Sequence, residues 1–270
     1  MSPKNAFSAR WSGKWAMITG ASAGIGLALA EELASAGANL VITARRQDRL
    51  ESLAALLCAN RGIKVEVLSA DLANPSAPDQ IRTFTQSKSL EIELLINNAG
   101  FGSYGRFHEA GLARQMEMIQ VNCAAVVRLT HLYLGDMAAR RHGDILIVAS
   151  VAGFQAVPYV STYAATKAFD LRFAEGIAEE VRRYGVNVCA LCPGSTSTEF
   201  REVAGQPERT FRGAGAESAE KVARTGLRAL AAGKSSVISG FKNTMSVEGQ
   251  RLAPRSLVSR VAASMFEPRK

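Results

Sequence analysis

The sequence predicts a single α/β domain, residues 1–270, in which about seven parallel strands form a doubly wound sheet covered by helices on both faces. Short apolar runs rich in β-branched residues alternate with longer helical segments along the whole chain. Several of these runs are apolar at consecutive positions, as strands buried on both faces must be. The sequence contains no linker, repeat or low-complexity stretch, so nothing divides it into two domains.

The predicted elements follow one another in a regular order. Strands are expected over residues 15–19, 39–44, 64–70, 93–100, 144–150, 186–194 and 235–239. Helices are expected over residues 24–37, 48–61, 76–87, 112–140, the segment around 163–167, and 217–232. Strands that alternate with helices of this length imply βαβ crossovers, and therefore a parallel sheet. Ligands of such sheets bind beyond the carboxyl ends of the strands.

Composition and charge limit the class of protein. The chain is 47% hydrophobic and 21% charged, which is typical of a globular protein, and its apolar runs are far shorter than the roughly 20 residues of a membrane span. The opening "MSPKNAFSARWSGKW" lacks the apolar core of a signal peptide, so a cytoplasmic location is expected. The net charge of +8 is dispersed in separate pairs, without a basic tail, so no nucleic-acid partner is expected.

The four cysteines predict neither a disulfide framework nor a metal site. Cys189 and Cys192 have the C-x-x-C spacing of some redox and zinc proteins. They lie in an apolar stretch typical of a buried strand, and no second pair of cysteine or histidine ligands completes a zinc site. We therefore expect these thiols to fill the core, and we expect no bound metal.

The first strand is followed by a glycine-rich turn, "TGASAGIG". In a dinucleotide site, Gly20 would permit the tight turn, Gly24 would let the backbone approach a pyrophosphate, and Gly26 would let the next helix pack closely. The helix N-terminus adds N–H donors. Glycines also serve as plain turn formers, but this placement favours a dinucleotide site. Its predicted cofactor-binding residues are Gly20, Ser22, Gly24, Ile25 and Gly26.

The end of the second strand indicates which dinucleotide is bound. A carboxylate there would accept hydrogen bonds from the adenosine ribose 2′-hydroxyl, but this position is Ala44. Arg45 and Arg46 follow it, and guanidinium groups bind a 2′-phosphate well. The alternative is a solvated arginine pair at a helix start. We predict NADP(H) over NAD(H), with Arg45 as the favoured phosphate ligand.

The sequence "YAATK" places Tyr163 and Lys167 four residues apart, and therefore on one face of the predicted helix. A free phenol has a pKa of about 10, and a neighbouring cation lowers that pKa by roughly 1–3 units. Tyr163 is therefore predicted to protonate a carbonyl oxygen in reduction and to deprotonate a hydroxyl in oxidation. Ser150, at the end of the preceding strand, can donate to the same oxygen, or it can simply cap a loop.

The order of these motifs resembles the short-chain dehydrogenase/reductase family of the non-extended type. The resemblance covers residues from about 13 to 240. It implies a Rossmann fold and reversible hydride transfer between a nicotinamide cofactor and an alcohol or carbonyl group. It rests on Thr19 to Gly26, Asp71, Asn97 to Gly100, Asn122, Ser150, Tyr163, Lys167 and Pro193-Gly194.

Further roles are implied by this resemblance. Asp71 would accept from the adenine amino group, and Asn98 and Gly100 would line the adenosine side. Asn122 lies mid-helix in an apolar stretch, where an asparagine is mildly unfavourable, so we expect it to hold a water molecule. In the family this asparagine belongs to a proton path that runs from Tyr163 to solvent.

The strand predicted over 186–194 ends in Pro193-Gly194. The resemblance implies that the backbone of Thr196 binds the nicotinamide carboxamide and that Thr198 lies near the pyrophosphate. Residues 195–216 are largely polar and glycine-rich, so they are predicted to form a substrate flap.

The loops that border the predicted catalytic residues are apolar, which favours an apolar ketone or alcohol as substrate. Rings at loop bases are also commonly structural, so the pocket assignment is a hypothesis. The predicted substrate-pocket residues are Phe101, Phe154, Val157 and Tyr159. Residues 254–266 carry an apolar stripe and are predicted to form an amphipathic helix that packs on the body or on a second subunit; a peripheral membrane anchor is less favoured.

Three functions are compatible with the sequence. The favoured one is an NADP(H)-dependent carbonyl reductase or alcohol dehydrogenase acting on small to medium-sized apolar substrates. The second is a 3-oxoacyl-thioester reductase whose positive surface docks an acidic carrier protein. The third is an NADP(H)-binding scaffold or sensor without turnover, although such a protein would not need Ser150, Tyr163 and Lys167. The family resemblance implies a homodimer or homotetramer.

Overall fold

A computed structural model of the chain describes residues 8–206 and 215–268. Its strands form one parallel sheet of seven strands in the order β3-β2-β1-β4-β5-β6-β7. Between β1 and β4 the strand order reverses, which opens a crevice at the carboxyl edge of the sheet. The strands are β1 (Trp15–Thr19), β2 (Asn39–Ala44), β3 (Val65–Ser69), β4 (Ile92–Asn97), β5 (Gly143–Val148), β6 (Val186–Cys192) and β7 (Ser236–Ile238).

Helices flank this sheet and connect its strands. All the predicted strands form, each within three residues of its expected bounds. Three short helices, Ser8–Trp11, Phe200–Val203 and Phe241–Gln250, have no counterpart in the sequence prediction. The helices are α1 (Ser8–Trp11), α2 (Gly24–Ser35), α3 (Gln47–Arg61), α4 (Ala77–Ser87), α5 (Leu112–Ile119), α6 (Ala125–Arg140), α7 (Ser161–Val181), α8 (Phe200–Val203), α9 (Ala219–Ala231), α10 (Phe241–Gln250) and α11 (Arg255–Phe266).

Both faces of the sheet are buried, each in its own hydrophobic cluster. In β5, Ile145 and Ile147 belong to the cluster under α6 and α7, whereas Leu146 and Val148 belong to the cluster under α2 and α9. Successive side chains of a strand point to opposite faces, so two-sided burial requires a continuous apolar run. The apolar runs in the sequence therefore arise from burial of the strands on both faces, as expected.

The C-x-x-C pair lies on β6, with one thiol in each hydrophobic cluster. Cys189 and Cys192 are free and fully buried. Burial raises the pKa of both thiols to about 12, so neither forms a thiolate at neutral pH. The prediction that these cysteines fill the core is confirmed.

The helix predicted over 112–140 is interrupted. A π-helical turn, Gln120–Ala124, separates α5 from α6 and carries Asn122. π turns insert one extra residue into a helix and occur often at functional sites. The sequence prediction of one regular helix was wrong at this point, because periodicity alone does not reveal a single inserted residue.

The predicted flap and C-terminal helix border the same end of the sheet. Within the flap, α8 follows β6 closely, and residues 207–214 lie outside the described part of the chain. In α11, Ala262 is buried, whereas Leu257, Val261 and Met265 are about half exposed. The Tyr104 hydroxyl donates to the carbonyl of Phe266 at 2.8 Å and so ties the end of α11 to the body. None of the helices in the described ranges is both long and apolar enough to cross a bilayer.

Candidate active site

A cleft of about 460 Å³ opens at the carboxyl edge of the sheet, where the strand order reverses. Its walls bring together residues that are far apart in the sequence. Of the predicted cofactor-binding residues, only Gly26 is not in its lining. The predicted residues that line the cleft are Gly20, Ser22, Gly24, Ile25, Arg45, Arg46, Asp71, Asn98, Gly100, Ser150, Tyr163, Lys167, Pro193, Gly194, Thr196 and Thr198.

The glycine turn has the shape that the sequence predicted. Gly20 has φ +70°, a conformation that favours glycine, and a Cβ atom added at Gly26 would collide with the carbonyl oxygen of Gly20. Asn98 braces this turn, since its Nδ2 donates to the carbonyl oxygens of Thr19 at 2.8 Å and of Gly20 at 3.2 Å. Asn98 was predicted to line the adenosine side. It does line the cleft, but its amide hydrogens serve the turn.

The two arginines after β2 have different surroundings. The Arg46 guanidinium donates to the Ser22 hydroxyl at 3.1 and 3.2 Å and forms an ion pair with Glu199 at 2.8 Å. Arg45 is 60% exposed and lies 3.9 Å from Glu117. Arg46, rather than the favoured Arg45, is therefore the arginine that is anchored to the glycine turn.

The segment after β6 is held by backbone hydrogen bonds. Ser197 N donates to the Glu217 carbonyl at 2.9 Å, and Glu217 N donates to the Ser195 carbonyl at 2.9 Å. This pairing fixes the backbone around Thr196 beside the cleft. Thr198 lies so close to the glycine turn that a Cβ atom at Gly24 would come within 3.0 Å of its methyl group.

At the other end of the cleft, Tyr163 and Lys167 lie on α7, beside the end of β5. Lys167 Nζ donates to the Val148 carbonyl at 2.8 Å and to Asp170 Oδ2 at 2.9 Å. These bonds use two of its three hydrogens within the protein. The Ser150 hydroxyl accepts from Ala152 N at 3.1 Å, so Ser150 caps the turn after β5 as well as facing the cleft.

Opposing influences act on the pKa of the Tyr163 phenol. Removal from water raises its pKa above the ordinary value, and Asp170 adds to this effect. Lys167 and a hydrogen bond with Ser150 lower the pKa but do not offset the burial. The expected lowering by Lys167 is thus present, but in the protein alone the net direction is upward.

Asn122 has a structural task beside the cleft. Its Nδ2 donates to the Phe101 carbonyl at 3.0 Å and to the Thr166 hydroxyl at 3.0 Å, while its Oδ1 accepts from Phe101 N at 3.1 Å. Both amide hydrogens are therefore bound by protein atoms. The predicted role in holding water stays a prediction, and the side chain fixes the loop that follows β4.

The predicted substrate pocket is only partly assembled. Phe101 and Val157 line the cleft, and Arg114 packs over the Phe101 ring at 3.7 Å from its centroid. Phe154 instead packs against the hydrophobic core. Tyr159 also lies outside the cleft lining, in a turn with φ +67°. These two rings follow the backbone of short turns, whose direction a sequence pattern does not specify.

The sequence prediction missed three site residues. Phe200 of α8 lies 5.2 Å from the Tyr163 ring, centroid to centroid, and Phe266 of α11 also lines the cleft. Asp170 forms the buried ion pair with Lys167. One signal was available for Asp170, since an acid three residues after a lysine shares its face of a helix. No comparable pattern marks Phe200 or Phe266.

Comparison with known proteins agrees with this geometry. The sequence model of the short chain dehydrogenase family matches residues 14–209. This chain belongs to that family. A short-chain dehydrogenase from Sphingobium yanoikuyae, solved in complex with NADPH, superimposes with a TM-score of 0.81 at 29% identity and covers 95% of this chain and 96% of its own.

Two curated relatives of this short-chain dehydrogenase differ in their named substrates. A 7beta-hydroxysteroid dehydrogenase of Mediterraneibacter gnavus is 31% identical over 238 residues, which cover 87% of this chain and 89% of the relative. A very-long-chain 3-oxoacyl-CoA reductase of Phaeosphaeria nodorum is 36% identical over 180 residues, which cover 65% of this chain but 53% of the relative. The protein is therefore an oxidoreductase of the short-chain dehydrogenase family, acting with a nicotinamide cofactor.

Proposed function

We propose that this protein transfers a hydride between NADP(H) and an apolar ketone or secondary alcohol, with Tyr163 as the general acid and base. One observation carries the proposal. Ser150, Tyr163 and Lys167 meet at one end of a single cleft, while the glycine turn and Arg46 form its other end. A dinucleotide lying along this cleft would have its phosphates at the turn and its reactive ring beside Tyr163.

The protein's own groups would handle the proton. Bound NADPH would supply the hydride. In reduction, Ser150 donates a hydrogen bond to the carbonyl oxygen, and the Tyr163 hydroxyl gives its proton to the same oxygen. The Lys167 ammonium stabilises the phenolate that remains. In oxidation the steps reverse, and the Tyr163 phenolate removes the hydroxyl proton.

The preference for NADP(H) is inferred from the residues at the end of the cleft beside the glycine turn. β2 ends at Ala44 without a carboxylate, and Arg46 and Ser22 are joined at the cleft wall. A 2′-phosphate would receive charge-assisted hydrogen bonds from this pair. The carboxylate that would favour NAD(H) is absent at Ala44, and the nearby Arg46 favours NADP(H).

The substrate class is assigned from the reacting end of the cleft. Phe101, Val157, Phe200 and Phe266 are apolar residues of the cleft wall, and the Phe200 ring packs against Tyr163. Such a wall suits a rigid, largely hydrocarbon ketone. The hydroxysteroid named for one relative has such a rigid hydrocarbon skeleton.

A 3-oxoacyl thioester is the second candidate substrate, because one relative reduces such a compound and is 36% identical over 180 residues. NADPH consumption should therefore be compared for a keto-steroid, a long-chain 3-oxoacyl-CoA and a small ketone. Turnover of the steroid alone supports the favoured proposal, and turnover of the thioester alone supports the second candidate. Binding of NADPH without any turnover would indicate a scaffold or sensor.

The cofactor assignment is tested with Arg46→Ala. We expect the KM for NADPH to rise about tenfold, since a charge-assisted hydrogen bond is lost, while the KM for NADH changes little. Arg49→Ala is the matched control, because Arg49 also pairs with Glu199 but does not line the cleft. An equal loss with both cofactors would contradict the NADP(H) preference. If Arg45→Ala raises the KM for NADPH more than Arg46→Ala does, Arg45 rather than Arg46 binds the 2′-phosphate.

A further inference from the structure

Asp170 forms a buried ion pair directly behind the proposed reacting groups. Its side chain is 1% exposed, and its Oδ2 lies 2.9 Å from Lys167 Nζ, whose side chain is 7% exposed. Both residues lie on α7, three positions apart, so the helix itself holds them on one face. The ammonium group is therefore fixed between the end of β5 and a carboxylate.

The second oxygen of this carboxylate indicates its purpose. Asp170 Oδ1 is buried and has no hydrogen-bond partner among the described residues. A buried carboxylate that accepts a hydrogen bond at one oxygen only is costly, and an apolar side chain of similar size would often stabilise the fold more. Fold stability therefore does not explain why a carboxylate is placed here, whereas the ion pair with Lys167 does.

We propose that Asp170 is a positioning residue for the reaction, which keeps the Lys167 ammonium charged and directed at the cleft wall beside Tyr163. This inference rests on the proposed function, in which Lys167 acts on Tyr163. Asp170 itself does not line the cleft. Without it, Lys167 would be a buried ammonium with a single neutral acceptor, the Val148 carbonyl.

Among the groups around Lys167, Asp170 is the one that can keep its ammonium charged. Burial alone would lower the pKa of Lys167, but Asp170 and Tyr163 together raise that pKa above its ordinary value. The other titratable groups facing the pair are the thiols of Cys123 and Cys192, which burial keeps neutral by raising their pKa to about 12. Asp170 is thus the one carboxylate in the described structure that forms an ion pair with this ammonium, at 2.9 Å. Burial raises the pKa of Asp170 above its ordinary value, and Lys167 opposes that rise.

The first test is a pH profile of Asp170→Asn, which removes the charge with little change of shape. A Lys167 that loses its proton more easily weakens both directions of the reaction. The alkaline limb of carbonyl reduction should move to lower pH, and the acid limb of alcohol oxidation to higher pH, each by about one unit or more. If Asp170 only repelled the phenolate, both limbs would move to lower pH, and that result would overturn the proposal.

Two further variants separate positioning from folding. Asp170→Glu, which restores the carboxylate, should return both limbs toward their wild-type positions. Glu179→Gln changes an exposed acid of the same helix and should leave both limbs unchanged. A fall in thermal stability of Asp170→Asn with an unaltered pH profile would show that the role is structural and would contradict the proposal.

The second test needs no substrate. Lysine side chains labelled with ¹³C are titrated by NMR in the wild-type protein, and the Lys167 signal is assigned by its loss in Lys167→Arg. We expect the signal to remain that of a charged ammonium to above pH ~10. Titration near neutral pH would overturn the inference about Asp170 even if the protein reduces ketones. A charged Lys167 in a protein that turns over no carbonyl compound would leave that inference intact and contradict the proposed function.

Discussion

Two carboxylates are fully buried at opposite ends of the sheet, and their surroundings differ. Asp144, near the start of β5, accepts at both oxygens, with distances of 2.7–2.9 Å. Asp170, near the end of β5, has one partner, and its other oxygen is unbound within the described residues. The donors to Asp144 are Arg10, Trp11 and Asn187.

The difference separates groups that hold the fold from groups that serve a reaction. At the amino edge, every polar demand of Asp144 is met, so the carboxylate ties α1 and β6 to β5. At the carboxyl edge, Asp170 and Lys167 are left incompletely bound, at a cost in stability. Proteins concentrate such costs at sites where an incompletely bound group has a chemical task.

The largest effect should follow from changing the reacting group itself. Tyr163→Phe should lower kcat by about a hundredfold to ten-thousandfold, because the proton donor is lost, while NADPH binding stays nearly the same. Steady-state kinetics and cofactor fluorescence titration measure the two quantities. Tyr184→Phe, which alters a phenol outside the cleft, is the control. Retained turnover would show that Tyr163 is not the acid–base group. The contrast between a structural amino edge and a reactive carboxyl edge of the sheet would then fail.

The opposite pattern is expected at the other edge of the sheet. Asp144→Ala should lower the free energy of unfolding by about 3 kcal/mol, since buried donors lose their acceptor, although the 38% exposed Arg10 side chain recovers some solvation. The kcat of the folded fraction should not change. Chemical denaturation gives the first quantity, and Asp136→Ala is the control, because Asp136 is an exposed carboxylate that pairs with Arg82. A selective loss of kcat in Asp144→Ala would break the comparison.

The smallest effect should come from the apolar wall. Phe200→Ala removes the ring that packs on Tyr163 and should lower kcat/KM for a compact ketone by up to about tenfold. Bulkier ketones should be affected less, because they refill the space. Glu202→Ala in the same short helix is the control. Equal losses for compact and bulky ketones would show that Phe200 supports the fold rather than the selection of substrate.

The strands of the sheet could be predicted from the sequence because the signals that specify them are local. Apolar runs of the right length specify strands, and the glycine turn specifies its own backbone shape, as at Gly20 and Gly26. The YxxxK spacing specifies a shared helix face. Each of these signals lies within a few residues of the structure it determines.

The remaining features depend on contacts between distant segments. Arg45 and Arg46 are equivalent in the sequence, and only the position of Ser22 in space distinguishes them. Likewise, Phe200 reaches Tyr163 because of the path taken by the chain after β6. The net rise in the pKa of Tyr163 depends on burial, which a sequence pattern does not quantify.

Because of the π turn at Gln120–Ala124, the geometry of the site depends on the number of residues between β4 and β5. Each residue of an α-helix turns the chain by about 100°, so removing one residue from this turn would rotate α5 against α6 by that angle. Asn122 would then leave the backbone of Phe101, which it binds at both polar groups. Deleting one residue from this turn would thus change the direction in which the Asn122 side chain points. Substitutions that preserve the number of residues would leave the cleft wall in place.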